Sequence, residues 1–171
     1  MKFLECDLEE IIMKSENHKL RDRGLEIIGK KRNQVRIGNY GIADIIVFDK
    51  GYFNRREDGI VETEKPTVTV YELKKDNVSL SSFAQVCNYV KGVKDYFEHT
   101  NRNVFDYNWK VVLIGKNVDK NSSLVYFPEL FCSTEDSSIQ VEIYEYNYGL
   151  DGIEFNHIYD YSLTKKGFNY E

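Results

Sequence analysis

Asp44 is the only charge in the run Ile42-Ala43-Asp44-Ile45-Ile46-Val47-Phe48, and Glu72 and Lys74 close a second apolar run, Val68-Thr69-Val70-Tyr71-Glu72-Leu73-Lys74. In a strand, residues two apart share a face, so Glu72 and Lys74 project from the same side. A carboxylate in an apolar strand costs free energy unless it is paired or holds a metal. Two such carboxylates beside a lysine suit a hard divalent cation, Mg2+ or Mn2+, which binds through one or two carboxylates, keeps waters and takes further oxygens from a phosphate. The chemistry that fits is phosphodiester hydrolysis. The ion polarises the phosphate and activates a water, and the lysine adds a fixed positive donor.

Several elements must position these groups. Leu4, Leu8, Ile11 and Ile12 recur at helical spacing, with Glu5 and Glu9 one turn apart beside the stripe, so residues 3–14 read as an amphipathic first helix. The segment Leu20 to Ile28 leads into a first strand at Asn33 to Ile37, and Gly38-Asn39-Tyr40-Gly41 reverses the chain. The Asp44 run is apolar on both alternating faces, as a strand covered on two sides requires. Residues 50–66 are polar, hold Arg55 and Arg56, and read as a long exposed connection. Ser79 to Ser82 offers an N-cap for a helix running to His99, with Phe83, Val86, Val90, Val93 and Phe97 as its apolar stripe. Gln85 and Tyr89, four apart, share an adjacent face. Lys110 to Ile114, Val125 to Phe127 and Val141 to Tyr146 read as further strands, and the tail from Gly149 is assigned no structure.

Length and composition set the frame. A chain of 171 residues fits one domain with a single core, and 42% hydrophobic against 30% charged residues is an ordinary globular balance. Acids enter the N-terminus at once, so a secretion signal is not expected, and no tract is apolar enough to span a membrane. Cys6, Cys87 and Cys132 are odd in number and scattered, which points to neither a disulfide framework nor a zinc site and fits a reducing cytoplasm. A net charge of −5 argues against coating nucleic acid by bulk electrostatics. His18, His99 and His157 lack metal-ligand spacing and read as surface residues. The 13 Tyr, 10 Phe and one Trp read mostly as core.

Taken in order, Gly41-Ile42-Ala43-Asp44, Tyr71-Glu72-Leu73-Lys74 and Gln85-x-x-x-Tyr89 resemble the PD-(D/E)xK nuclease superfamily, the restriction-endonuclease-like proteins. The closer likeness is to its mismatch and branched-DNA endonucleases and related phage and prokaryotic nucleases, in which a Leu-Glu-containing helix precedes the core; here that helix offers Leu8-Glu9. The resemblance covers roughly residues 4–97. It implies an α/β fold with a central mixed sheet of about four or five strands flanked by helices, and a site where the two acidic strands diverge. It implies metal binding by Asp44, Glu72 and Glu9, catalysis by Lys74, and an orienting role for Gln85. Gln34 matches a polar position of the subgroup, and Lys75 and Tyr89 fall where substrate contact is expected. Ala43 stands in place of the name-giving proline. Glu5 and Glu10 remain alternatives to Glu9 as the carboxylate of the helix.

The leading expectation is therefore a Mg2+-dependent DNA endonuclease, a single domain over residues 1–171, cytoplasmic in a prokaryotic cell or phage-infected host. Two alternatives share the fold: a catalytically inactive module that binds nucleic acid or protein as an inhibitor or anti-defence factor, and an RNA nuclease. The intact triad favours an enzyme. Residues 100–171 extend the sheet and offer a surface for a second copy or a protein partner.

Overall fold

The computed structural model describes residues 4–55, 61–118, 124 and 139–161. Its centre is a six-stranded mixed sheet in the order β1-β2-β5-β7-β9-β10, formed by β1 (Lys30–Arg36), β2 (Ile42–Asp49), β5 (Thr67–Leu73), β7 (Asn108–Gly115), β9 (Ile139–Gly149) and β10 (Gly152–Tyr161). The interior strands β5, β7 and β9 run parallel; β1, β2 and β10 add antiparallel flanks. This is the α/β arrangement expected of a restriction-endonuclease-like core, with six strands rather than four or five.

Helices cover both faces, which explains why β2 and β7 are apolar on both alternations. On one face lies α3 (Leu80–His99), started by Ser79, whose side chain accepts from the Ser82 amide. Its Val86, Val90, Val93 and Phe97 pack with Val70, Val111, Leu113 and Val141. On the other face, α1 (Glu5–Lys14) and α2 (Asn17–Asp22) place Leu8, Ile12 and Leu20 against Ile45, Tyr71, Val112 and Ile114. Among the described residues no helix is long and apolar enough to cross a membrane.

Three differences from the sequence reading have physical causes. β1 starts at Lys30, earlier than expected, because its residues are half-buried or exposed and an edge strand of sequence Lys-Lys-Arg-Asn-Gln-Val-Arg shows no apolar alternation. The connection after β2 is a hairpin of β3 (Tyr52–Arg55) and β4 (Val61–Glu64). β10, in the tail left unassigned, buries Ile153 and Phe155 on alternate positions and follows the two-residue turn Leu150-Asp151, across which Gly149 pairs with Gly152. The expected strand Val125 to Phe127 lies outside the described residues, as do Arg56 and Cys132. Two short parallel segments, β6 (Asn77–Val78) and β8 (Asn117–Val118), complete the set.

Candidate active site

The antiparallel ladder between β2 and β5 has its last pair at Ile45↔Tyr71, and the next residue on each strand is an acid, Asp44 and Glu72. Past this point the amides of β5 turn to other partners. Leu73 N–H donates to Asp44 Oδ2 at 2.8 Å, Lys74 N–H to the Ile114 carbonyl of β7 at 2.8 Å, and Lys75 N–H to Glu5 Oε2 of α1 at 3.1 Å. A carboxylate from β2 and another from α1 thus take the place of strand acceptors, which fixes both beside the end of β5.

Glu72 is 1% exposed, and its Oε1 accepts from the Lys74 ammonium at 2.5 Å. Its Oε2 is buried with no hydrogen-bond partner among the described residues. Such an orphan costs free energy comparable to a lost hydrogen bond, so a native structure that keeps one needs a reason for it.

Charge accumulates around this oxygen. Burial pushes the Asp44 carboxyl up to about 6, against the pull of the Leu73 amide and Lys74; Glu5 and Glu9 add to the rise. Burial pushes Glu72 up to about 7, opposed by Lys74 and reinforced by Asp44 and Glu5. Burial pulls Lys74 down, but its bond to Glu72 and the charges of Glu72, Glu5 and Asp44 outweigh that, so it stays firmly protonated. One ammonium faces several carboxylates. The site lacks positive charge.

On α1, Glu5 and Glu9 both reach this cluster. Glu9 accepts from Asn33 Nδ2 at 3.0 Å and from Gln34 Nε2 at 2.5 Å. Glu10 is exposed and pairs with Lys14. Gln34 has a left-handed backbone, φ +47°, at the position of β1 opposite Asp44, and its amide serves Glu9. Gln85 donates to the Tyr89 hydroxyl at 2.6 Å rather than to a carboxylate. Tyr89 is buried against Gly41, where φ is +115° and a Cβ would sit 2.9 Å from Tyr89 Cε1, so only glycine fits that turn into β2. Lys75 is half-buried, with its ammonium 3.4 Å from Asp76.

The structure therefore gathers Asp44, Glu72, Lys74, Glu5 and Glu9 at one sheet end, braces Glu9 with Gln34 and ties the Lys75 amide to Glu5, whereas Gln85 and Tyr89 bond each other and not the acids. Two bracing residues went unnoticed in the sequence. Asn33 holds Glu9 and was detectable only as the neighbour of Gln34; Tyr146 of β9 donates to the Lys75 carbonyl at 2.6 Å and carries no sequence signal. None of the three histidines joins the cluster: His18 lies near Glu16, His99 bonds the Asp95 carbonyl, and His157 stacks on Tyr144.

Among the described residues no three His, Cys, Asp or Glu side chains are drawn together closely enough to enclose an ion. The residues present fit a sparse site, in which one or two carboxylates hold Mg2+ and water and phosphate supply the rest.

No protein-family model matches the chain, and no curated protein matches it. Among solved structures, the chain is similar over 74% of its length to a repair endonuclease from Pyrococcus abyssi, at 18% identity and a TM-score of 0.46. This likeness takes in 44% of that protein, so the chain spans less than half of its length. A likeness so distant carries no weight on function, which must be argued from the residues of the site.

Proposed function

We propose that this chain is a metal-dependent nuclease, most directly a DNA endonuclease, with Asp44 and Glu72 as the carboxylates that hold Mg2+ or Mn2+ and Lys74 as the catalytic lysine. The observation that carries the reading is the buried, unpartnered Glu72 Oε2, on a carboxylate whose other oxygen holds the Lys74 ammonium and whose neighbours Asp44 and Glu5 add negative charge. When bound, the ion supplies Lewis-acid charge at the scissile phosphate.

The chain's own groups do the rest. Asp44 and Glu72 give up the protons that burial favours, so the site is best filled above neutrality. Lys74, fixed on the strand beside Glu72, offers an ammonium donor toward the negative charge that builds on the phosphate oxygens. In the reaction a water oxygen bonds to phosphorus, the bond from phosphorus to the leaving sugar oxygen breaks, and that oxygen is protonated. Glu9, held by Asn33 and Gln34 on its two oxygens, adds negative charge beside Asp44 and favours an incoming cation from outside the ligand set.

The test is cleavage of labelled duplex, single-stranded, flapped and mismatched DNA, and of RNA, with Mg2+, Mn2+ or EDTA, beside Asp44→Ala and Lys74→Ala. Metal-dependent cutting of DNA that both variants lose is the expected result. Cutting of RNA alone would redirect the substrate. No cutting of anything by the intact protein, with no heat stabilisation by either metal, would leave a binding module on a nuclease-like scaffold.

A further inference from the structure

A groove of about 900 Å3 lies between α3 and the β1–β2 flank of the sheet. Its charge is opposite to that of the chain. The whole sequence carries 23 Lys and Arg against 28 Asp and Glu. The groove is lined by Lys30, Arg32, Arg36, Lys50 and Arg102, with Asp95 as the acid among its lining residues. Asp95 is already engaged by Lys91 at 3.1 Å and by the Tyr40 hydroxyl. All five cations are exposed, and none enters an ion pair with a described residue. Isolated positive charge held along one groove of an acidic protein is the electrostatic footprint of a polyanion.

The floor narrows the choice. Buried Ile46, Val93 and Phe97 form an apolar bed, and two cations lie over rings: the Arg32 guanidinium carbon is 5.9 Å from the Phe48 ring centroid and that of Arg102 is 5.2 Å from Phe97. Tyr96, 60% exposed, stands at the wall. A duplex presents phosphates and sugars outward and has nothing to fill an apolar bed, whereas an unpaired strand places phosphates on the cations and bases against the rings. Lys30 and Arg36 end a strand segment of roughly 20 Å at ~3.3 Å per residue, room for a few nucleotides. The groove shares β2 with the candidate site: Gly38 to Tyr40 line it just before that strand, Ile46 and Phe48 of the strand line it, and Asp44 lies between them in sequence.

We infer that this groove seats a single-stranded nucleic-acid segment next to the scissile bond, with phosphates on Lys30, Arg32, Arg36, Lys50 and Arg102 and bases on Phe48 and Tyr96. The inference names a substrate feature for the nuclease proposed above and rests on that reading, but binding in the groove does not need catalysis. The experiment is therefore done in EDTA: fluorescence anisotropy of a labelled oligothymidylate across a salt series, with a duplex of equal length and polyglutamate as competitors. Single strands are expected to bind best.

Arg32→Glu/Arg36→Glu on the strand and Lys50→Glu/Arg102→Glu off it should each weaken binding more than about tenfold and flatten the salt slope by roughly 1.4, the share of two phosphate contacts on a single strand. Tyr96→Ala should cost about tenfold on single strands and leave duplex binding unchanged. Wild-type affinity in both charge-reversed variants, folded by circular dichroism, would overturn the inference. So would duplex or polyglutamate competing as well as the single strand. Groove binding without any metal-dependent cleavage would keep the groove and defeat the nuclease reading; cleavage indifferent to the groove variants would do the reverse.

Discussion

The sheet carries two buried glutamates beside lysines, and they are built differently. Glu142 of β9 is 7% exposed and lies 2.6 Å from Lys110 of β7. Its Oε1 also accepts from Gln140 at 2.9 Å and its Oε2 from the Tyr144 hydroxyl at 3.0 Å, so both oxygens are used. Glu72 of β5 is 1% exposed, has Lys74 on one oxygen, and leaves the other bare while Asp44, Glu5 and Glu9 crowd in. A buried ion pair repays its desolvation only when its remaining lone pairs are also satisfied. Glu142 meets that condition within the protein. Glu72 does not: its second oxygen is met by no described residue, the gap that the proposed metal would fill.

The largest break between the two should be in activity. Asp44→Ala and Lys74→Ala are expected to lower metal-dependent cleavage by about 10²- to 10³-fold or more, the usual effect of removing one preorganised charge from a transition state. Glu142→Gln should leave cleavage within about twofold. Single-turnover rates on the best substrate decide it, and a Glu142 variant as dead as Asp44→Ala would erase the distinction.

Stability should show the opposite order. Glu142→Ala strands the Lys110 ammonium, which is 21% exposed, and breaking a buried pair costs roughly 3 kcal/mol. Glu72→Gln at pH 8 without metal removes a carboxylate that its surroundings already disfavour and should cost far less, below about 1 kcal/mol. Urea unfolding of both variants in EDTA measures the two numbers side by side. Equal losses would mean that Glu72 is as well satisfied as Glu142.

Titration sharpens the same contrast. A carboxyl whose folded pKa is raised holds its proton more tightly folded than unfolded, so its share of stability is fully present below the ordinary carboxylate range and is lost as pH rises. For Asp44 that loss runs up through about 6, and for Glu72 through about 7. Metal-free protein should therefore lose stability between pH 5 and pH 8 relative to Glu72→Gln, whose curve is flatter at the upper end. Mg2+ should raise Tm more at pH 8 than at pH 5.5, since the ion needs both acids ionised. A Mg2+ effect that does not grow with pH would separate metal binding from these two groups.

The sequence shows much of the first region and almost none of the second, for a physical reason. Asp44 and Glu72 interrupt apolar runs, and burial of a charge is visible wherever the run around it is long. Glu142 lies in Val141-Glu142-Ile143-Tyr144-Glu145-Tyr146, where no apolar run surrounds the acid and its face reads as a partly exposed one. That face is in fact closed off by Lys110, which comes from pairing across strands, together with Tyr144 two residues along β9. The same limit hid the start of β1 and its groove. Lys30 and Arg32 precede the expected strand and Arg36 falls within it, and only the placement of α3 across from them turns three exposed cations into one wall. The acids of α1 were narrowed rather than found. Helical spacing allowed Glu5, Glu9 and Glu10, and the hydrogen bonds to Lys75, Asn33 and Gln34 separate the first two from the third.

The smallest expected effect tests the comparison most directly. Tyr144→Phe deletes the hydroxyl that donates to Glu142 Oε2, so it manufactures in the structural pair the same bare oxygen that Glu72 has natively. An unsatisfied buried acceptor costs about 1–3 kcal/mol, and the low end applies because the Lys110 ammonium remains beside the carboxylate. If a bare oxygen next to a lysine were enough to recruit a divalent ion, Mg2+ would restore the lost stability. The expected outcome is no restoration, because Glu142 lacks the neighbouring Asp44, Glu5 and Glu9 that leave the other cluster short of positive charge. Thermal unfolding of Tyr144→Phe with and without Mg2+ reads this out. Rescue by the ion would shift the weight of the argument from the cluster of acids to the orphan oxygen alone.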